Sequence, residues 1–250
     1  MFAVLLAAVL SFQEPQSAPQ KPAPAADASA AKKALPALPD REAKAAVDTF
    51  GKAMKGASSI ADKNRALDGL AEGANKLLVR PLGAVVETDK SVIVRKRAVE
   101  LLALQPVGDS HPEIVRLLKS NGTQSQPAVQ AALVGALAQC GYQTADWAAV
   151  GRLFGPDYAA ERVPLQEAIL GLAAEHKEKQ SLELLLDNLD EPLPQNVDAA
   201  NNPPASYWEA RWKAWKAWRE KVKDALFALT GQRFGAAAEA KAWLAKNPLK

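Results

Sequence analysis

The stretch RPLGAVVETDKSVIVRKRAVELLALQ, Arg80–Gln105, decides how the rest of the chain is read. Apolar residues recur in it at three- and four-residue steps on either side of a short polar break. That is the pattern of two amphipathic helices joined by a tight turn. The second helix then returns along the chain. Val94, Ala98, Val99 and Leu102 reappear 35 residues on as Val129, Leu133, Val134 and Leu137. Leu133 and Val134 reappear 36 residues further as Ile169 and Leu170, and Val150 and Leu153 as Leu186 and Leu189. Backwards by 32 residues, Ala98, Val99 and Leu102 match Ala66, Leu67 and Leu70. One helix pair of this size cannot bury its own apolar face, so a self-match at this period is the mark of stacked pairs.

The same stretch resembles a HEAT repeat of the short bacterial kind. Pro81 falls in the first helix, Asp89 in the polar turn and Val94-Arg95 in the second helix. The resemblance covers about residues 60–190 and is sharpest in this unit, since Gln130 and Gln166 stand where Arg95 would recur. It implies an all-α fold, an α-solenoid of HEAT-like antiparallel helix pairs over residues 41–189. Tetratricopeptide repeats fit less well, because their Trp, Gly and Tyr landmarks are out of register. Another α-solenoid or an irregular helical bundle stays open.

Composition agrees with helices. Of 250 residues, 48% are hydrophobic but only 6% aromatic, with alanine and leucine dominant, which disfavours a β-sandwich. The formal net charge of +3 makes no strong electrostatic case for a nucleic-acid partner. Cys140 is the single cysteine, so no intrachain disulfide is possible.

The opening MFAVLLAAVLSF, residues 1–12, is an unbroken apolar run. It is shorter than the roughly 20 residues of a bilayer span and matches the apolar core of a signal peptide. No Lys or Arg precedes it, and no clean small-x-small cleavage site follows. Residues 13–40 are rich in Pro and Ala without apolar periodicity, the composition of a flexible linker. The expectation is export to the periplasm or cell envelope, with no membrane span once the leader is removed. A cytoplasmic location is the alternative.

Towards the C-terminus, residues 190–205 hold four prolines and three asparagines and read as a loop. Residues 206–250 read as a Trp-rich helical cap. Ser206 and Glu209 have the spacing of a capping box. From there Trp208, Trp212, Trp215, Val222, Leu226 and Leu229 form a heptad-like seam, and Gly231 is placed to stop the helix. On this reading Trp212 and Trp215 are buried and Trp218, beside the seam, stays partly exposed. A second helix is expected over about 236–246. The segment Trp208–Pro248 is similar to the C-terminal part of exported HEAT-repeat proteins of planctomycete-type bacteria, which implies fold and export but no chemistry.

Reactive residues are few. His111 and His176 fall in different units, with no HExxH or CxxC spacing near them, and read as a turn or cap residue and a solvated helix end. Cys140 ends an apolar helix and reads as core. No catalytic, metal-binding or cofactor-binding residue is assigned. The candidate partner-binding residues are Lys96 and Glu100, outward on the clearest second helix, with Trp218 and Arg219. In the next two units the outward positions are Ala131 and Gly135, then Glu167 and Gly171. Small residues there suit close approach of another protein more than acid–base work. The expected function is a non-catalytic scaffold of the cell envelope that binds an unknown protein partner. The alternatives are a glycan or envelope-polymer binding module using the basic, Trp-bearing helix, and a HEAT-like lyase-type enzyme.

Overall fold

A computed structural model of the chain describes residues 35–155, 157–194 and 200–249. The apolar leader and the linker up to residue 34 lie outside the described residues. Those described belong to one compact unit. Among them are twelve α-helices and no β-strand. In chain order the helices are α1 (Asp40–Gly56), α2 (Ile60–Asp68), α3 (Lys76–Thr88), α4 (Val92–Leu102), α5 (Val107–Lys119) and α6 (Asn121–Gln124). They continue with α7 (Pro127–Gln139), α8 (Trp147–Gly151), α9 (Val163–Glu175), α10 (Leu182–Asp187), α11 (Ala205–Thr230) and α12 (Ala237–Lys246).

The helix starts follow local chemistry. Ser59 and Asp62 close a capping box at α2, Asn75 accepts the Leu77 amide at α3, and Ser91 caps α4. Pro127 opens α7, where a missing N–H costs nothing. At the far end of α11, Gly231 takes φ +71° and ends the helix as its sequence position predicts.

The helices pack in two rows. In one row α1 meets α3, α3 meets α5 and α5 meets α8; in the other α2 meets α4, α4 meets α7, α7 meets α9 and α9 meets α11. Contacts of α1 with α2, α3 with α4 and α5 with α7 join the rows. The repeating positions are the core between them. Val94, Ala98, Leu102, Val129, Leu133, Val134, Leu137, Ile169 and Leu170 are all buried to 0% exposure. At about 25 cal/mol per Å² of apolar surface, these leucines and valines supply the main favourable term of folding.

Polar side chains join neighbouring pairs. The Arg95 guanidinium, 5% exposed, donates to the Val86 carbonyl nine residues back and to the Gly122 carbonyl, both at 2.6 Å. Gln166 occupies the corresponding place and donates to the carbonyls of Asp157, again nine residues back, and Phe154, at 3.2 and 3.3 Å. The replacement of Arg by Gln thus keeps the carbonyl clamp. Gln130, at the intervening position, is buried but its side-chain oxygen has no partner. On the opposite edge, the Tyr142 hydroxyl donates to Glu178 at 2.6 Å, His176 meets the Ala138 carbonyl at 3.1 Å, and the Asn75 amide donates to Gln105 at 3.0 Å.

Two boundaries differ from the sequence reading. The ordered body begins before α1: Leu38 donates its amide to Ala74, Ala74 donates to Pro36, and the Asn75 side chain donates to the Leu38 carbonyl. A backbone that has partners on a neighbouring loop does not behave as a tether, so residues 36–40, read as part of the linker, belong to the helical body. The capping box at Ser206 is also not formed. The helix starts two residues earlier than a Ser206 cap would set it, behind Pro204, whose extended backbone forms its entrance without a side-chain cap.

Candidate partner-binding face

The row α4–α7–α9–α11 carries every candidate residue. Lys96 and Glu100 point to solvent from α4, as expected. Glu100 pairs with Arg97 at 3.1 Å, and Arg97 also reaches Asp68 of α2 at 2.9 Å. Lys96 has no ion-pair partner among the described residues. These two residues sit two helices away from Trp218 and Arg219, with α7 and α9 between, so the four do not converge on one site.

Trp218 is a correction. It is 0% exposed, its indole N–H donates to Gln166 at 3.1 Å, and its ring meets Phe154 edge-on at 5.4 Å. A side chain so enclosed cannot contact a partner. Trp212, expected inside, is 37% exposed. The buried stripe of α11 is Ala214, Trp215, Trp218, Val222, Ala225 and Leu226. The physical reason is that α11 packs on α9 with the Trp218 indole bonded to Gln166 of that helix, which leaves Trp212 turned outward to its bond with Glu191. Trp215 is buried as predicted. Arg219 is partly exposed and stacks its guanidinium over the Trp215 ring at 5.3 Å.

The outward positions of α7 and α9 are sparse in side chains. Gly135 and Gly171 lie in the middle of these helices, 36 residues apart, and a methyl group added at either would meet nothing within 4 Å. Neither glycine is required by packing inside the chain. Beyond them, a pocket of about 320 Å³ opens between the start of α9 and α11, lined by Tyr158, Val163, Ser206, Glu209, Lys213 and Ala214 among others. Burial raises the Tyr158 phenol above its ordinary value, although Arg211, stacked on the same ring at 5.4 Å, opposes this.

Titratable groups inside the body are bonded across neighbouring elements. His111 meets Asp146 at 2.8 Å, and Asp146 also accepts the Gln143 amide. This joins α5 to the turn before α8, a contact that single-helix reasoning at His111 missed; the 35-residue spacing was the available signal. His176 is partly buried against Tyr142 and is not a solvated helix end. Burial and the bond to Glu178 raise the Tyr142 phenol far above its ordinary range, so it remains a donor. On the other row, hydrogen bonds from Arg116 and Ser120 hold the Glu87 carboxyl below the usual range. Cys140 is 1% exposed, as its place at the end of an apolar helix suggested.

Among the described residues no group of three His, Cys, Asp or Glu side chains is disposed to hold a metal ion, and no helix is long and apolar enough to cross a membrane. No family model, curated protein or solved structure matches the chain.

Proposed function

We propose that the chain is a non-catalytic scaffold: an α-solenoid of HEAT-like helix pairs, closed at one end by α11, that docks another protein on the outward side of α7 and α9. The observation that carries this reading is the pair of glycines at 135 and 171, mid-helix, one repeat apart and in open space. Glycine in a helix interior costs roughly 0.5–1 kcal/mol relative to alanine. A cost repeated at equivalent positions, with no internal contact to explain it, fits a surface that another backbone approaches closely. The exposed Lys96 and Glu100 extend this side onto α4 and supply polar rim contacts. The scaffold is further read as exported, its leader being the apolar run of residues 1–12, so that the partner belongs to the cell envelope.

The test is a pull-down from envelope extract with the purified chain and with the Gly135→Arg/Gly171→Arg double variant. Both positions are open, so the variant keeps its helical circular dichroism and loses the captured partner. Equal capture by both proteins overturns the docking face. Export is checked separately by intact mass: a native protein retaining Met1 and found in the cytoplasm excludes it.

A further inference from the structure

Charge is divided unevenly along the chain. Residues 205–250 hold ten Lys and Arg against four Asp and Glu, while the rest holds twenty-one against twenty-four. The positive excess therefore sits on the C-terminal helices. Such an asymmetry, absent from the overall net charge, points to an anionic partner for that end.

On α11 this charge surrounds one exposed ring. Trp212 is fixed in place: its indole N–H donates to Glu191 at 2.6 Å, and the Lys216 ammonium sits over one face of the ring, 4.8 Å from its centroid, so that a ligand has the opposite face to stack on. Glu209 and Lys213, paired at 2.6 Å, lie within one turn of it on the same helix. Lys216 has no carboxylate partner among the described residues. We propose that this side of α11 binds an anionic, hydroxyl-rich polysaccharide, one that carries uronate or phosphate groups, with Trp212 as its stacking platform.

A pyranose ring offers a flat C–H face to an indole and a rim of hydroxyls around it. Glu191 and Glu209 accept from those hydroxyls and Lys213 and Lys216 donate to them; these four charges balance, and the selection of an acidic sugar comes from the helix around them, where Arg211–Lys223 carries six Lys and Arg against Glu220. A lipid surface fits less well. The indole N–H is already tied to a carboxylate level with the ring, and Phe227, the other exposed aromatic of α11, is 15 residues away, about 22 Å along the axis. A single-stranded nucleic acid needs successive open stacking platforms, and Trp208, one turn before Trp212, is half-buried with the Arg211 guanidinium over its ring at 5.7 Å. The reading does not depend on the docking face of α7 and α9.

The test uses the full chain, titrated with polygalacturonate and followed by tryptophan fluorescence and affinity electrophoresis. Dextran, polyglutamate, oligo-dT and phosphatidylglycerol vesicles are the comparisons. Polygalacturonate is expected to bind, more weakly as salt is raised. Trp212→Ala weakens that binding about tenfold and Trp212→Phe retains most of it. Lys216→Gln weakens it about threefold and flattens the salt dependence. Thermal melts by circular dichroism accompany each variant, and Lys216→Gln decides the matter if Trp212→Ala loses helix. The proposal is overturned by absence of binding, by equal or tighter binding of polyglutamate, oligo-dT or vesicles, or by variants that bind as the parent does.

Discussion

Exchanging Trp218 for alanine removes an indole that is fully enclosed and leaves the Gln166 side-chain oxygen without its donor. The expected cost is about 3–5 kcal/mol, whereas Trp212→Ala, at an exposed ring, stays within about 0.5 kcal/mol. Urea unfolding of both variants measures the difference, and the reverse order would mean that α11 is turned the other way. The sequence alone could not rank these two tryptophans. A stripe through Trp208, Trp212 and Trp215 and one through Ala214, Trp218 and Val222 have equally good helical spacing, and only closeness to α9 chooses between them. Glu87 gives a prediction of a different kind. Its carboxyl is held below the ordinary glutamate value of about 4.3 by Arg116 and Ser120. Its contribution is therefore complete above that value and is lost as the pH falls through the lowered one. Comparing acid unfolding of the parent with Glu87→Gln should show the parent losing its advantage in that window; parallel curves would contradict the assignment.

Helices α7 and α9 show how far repetition goes at the level of an element. Both have a residue with positive φ two places past the last helical residue: Gly141 at +78° and Lys177 at +48°. Glycine adopts this conformation freely and lysine does not, so Lys177→Gly should stabilise the fold by about 0.5–1 kcal/mol, read from the thermal midpoint. Gly135→Ala and Gly171→Ala should each add about the same through helix propensity, since the added methyl meets nothing. A loss of stability at either position would mean that the space is occupied. The carbonyl clamp of Arg95 was legible as a motif, but its continuation by Gln166 was not. In sequence Gln166 reads as a departure from the pattern, and only the geometry shows that an amide donates where a guanidinium did.

At the scale of the whole molecule, the apolar period carried the prediction of an all-helical body, because each buried position recurs with the same side-chain class. Leu102→Ala and Leu137→Ala should each cost on the order of 2–5 kcal/mol, as for buried leucines generally; two neutral variants would undo the assignment of these positions to the core. What the period could not reveal was contact between unlike elements. The bonds of Leu38 to Ala74 and of Asn75 to Leu38 join segments more than 35 residues apart with no shared pattern. They also have a mechanical meaning. Tension applied at Leu35 is borne first by the parallel bridge between Ala37 and Ala74 and by the Asn75 amide, not by the first turn of α1. The load passes into the turn ahead of α3, and α1 is left slack until that clasp has given way.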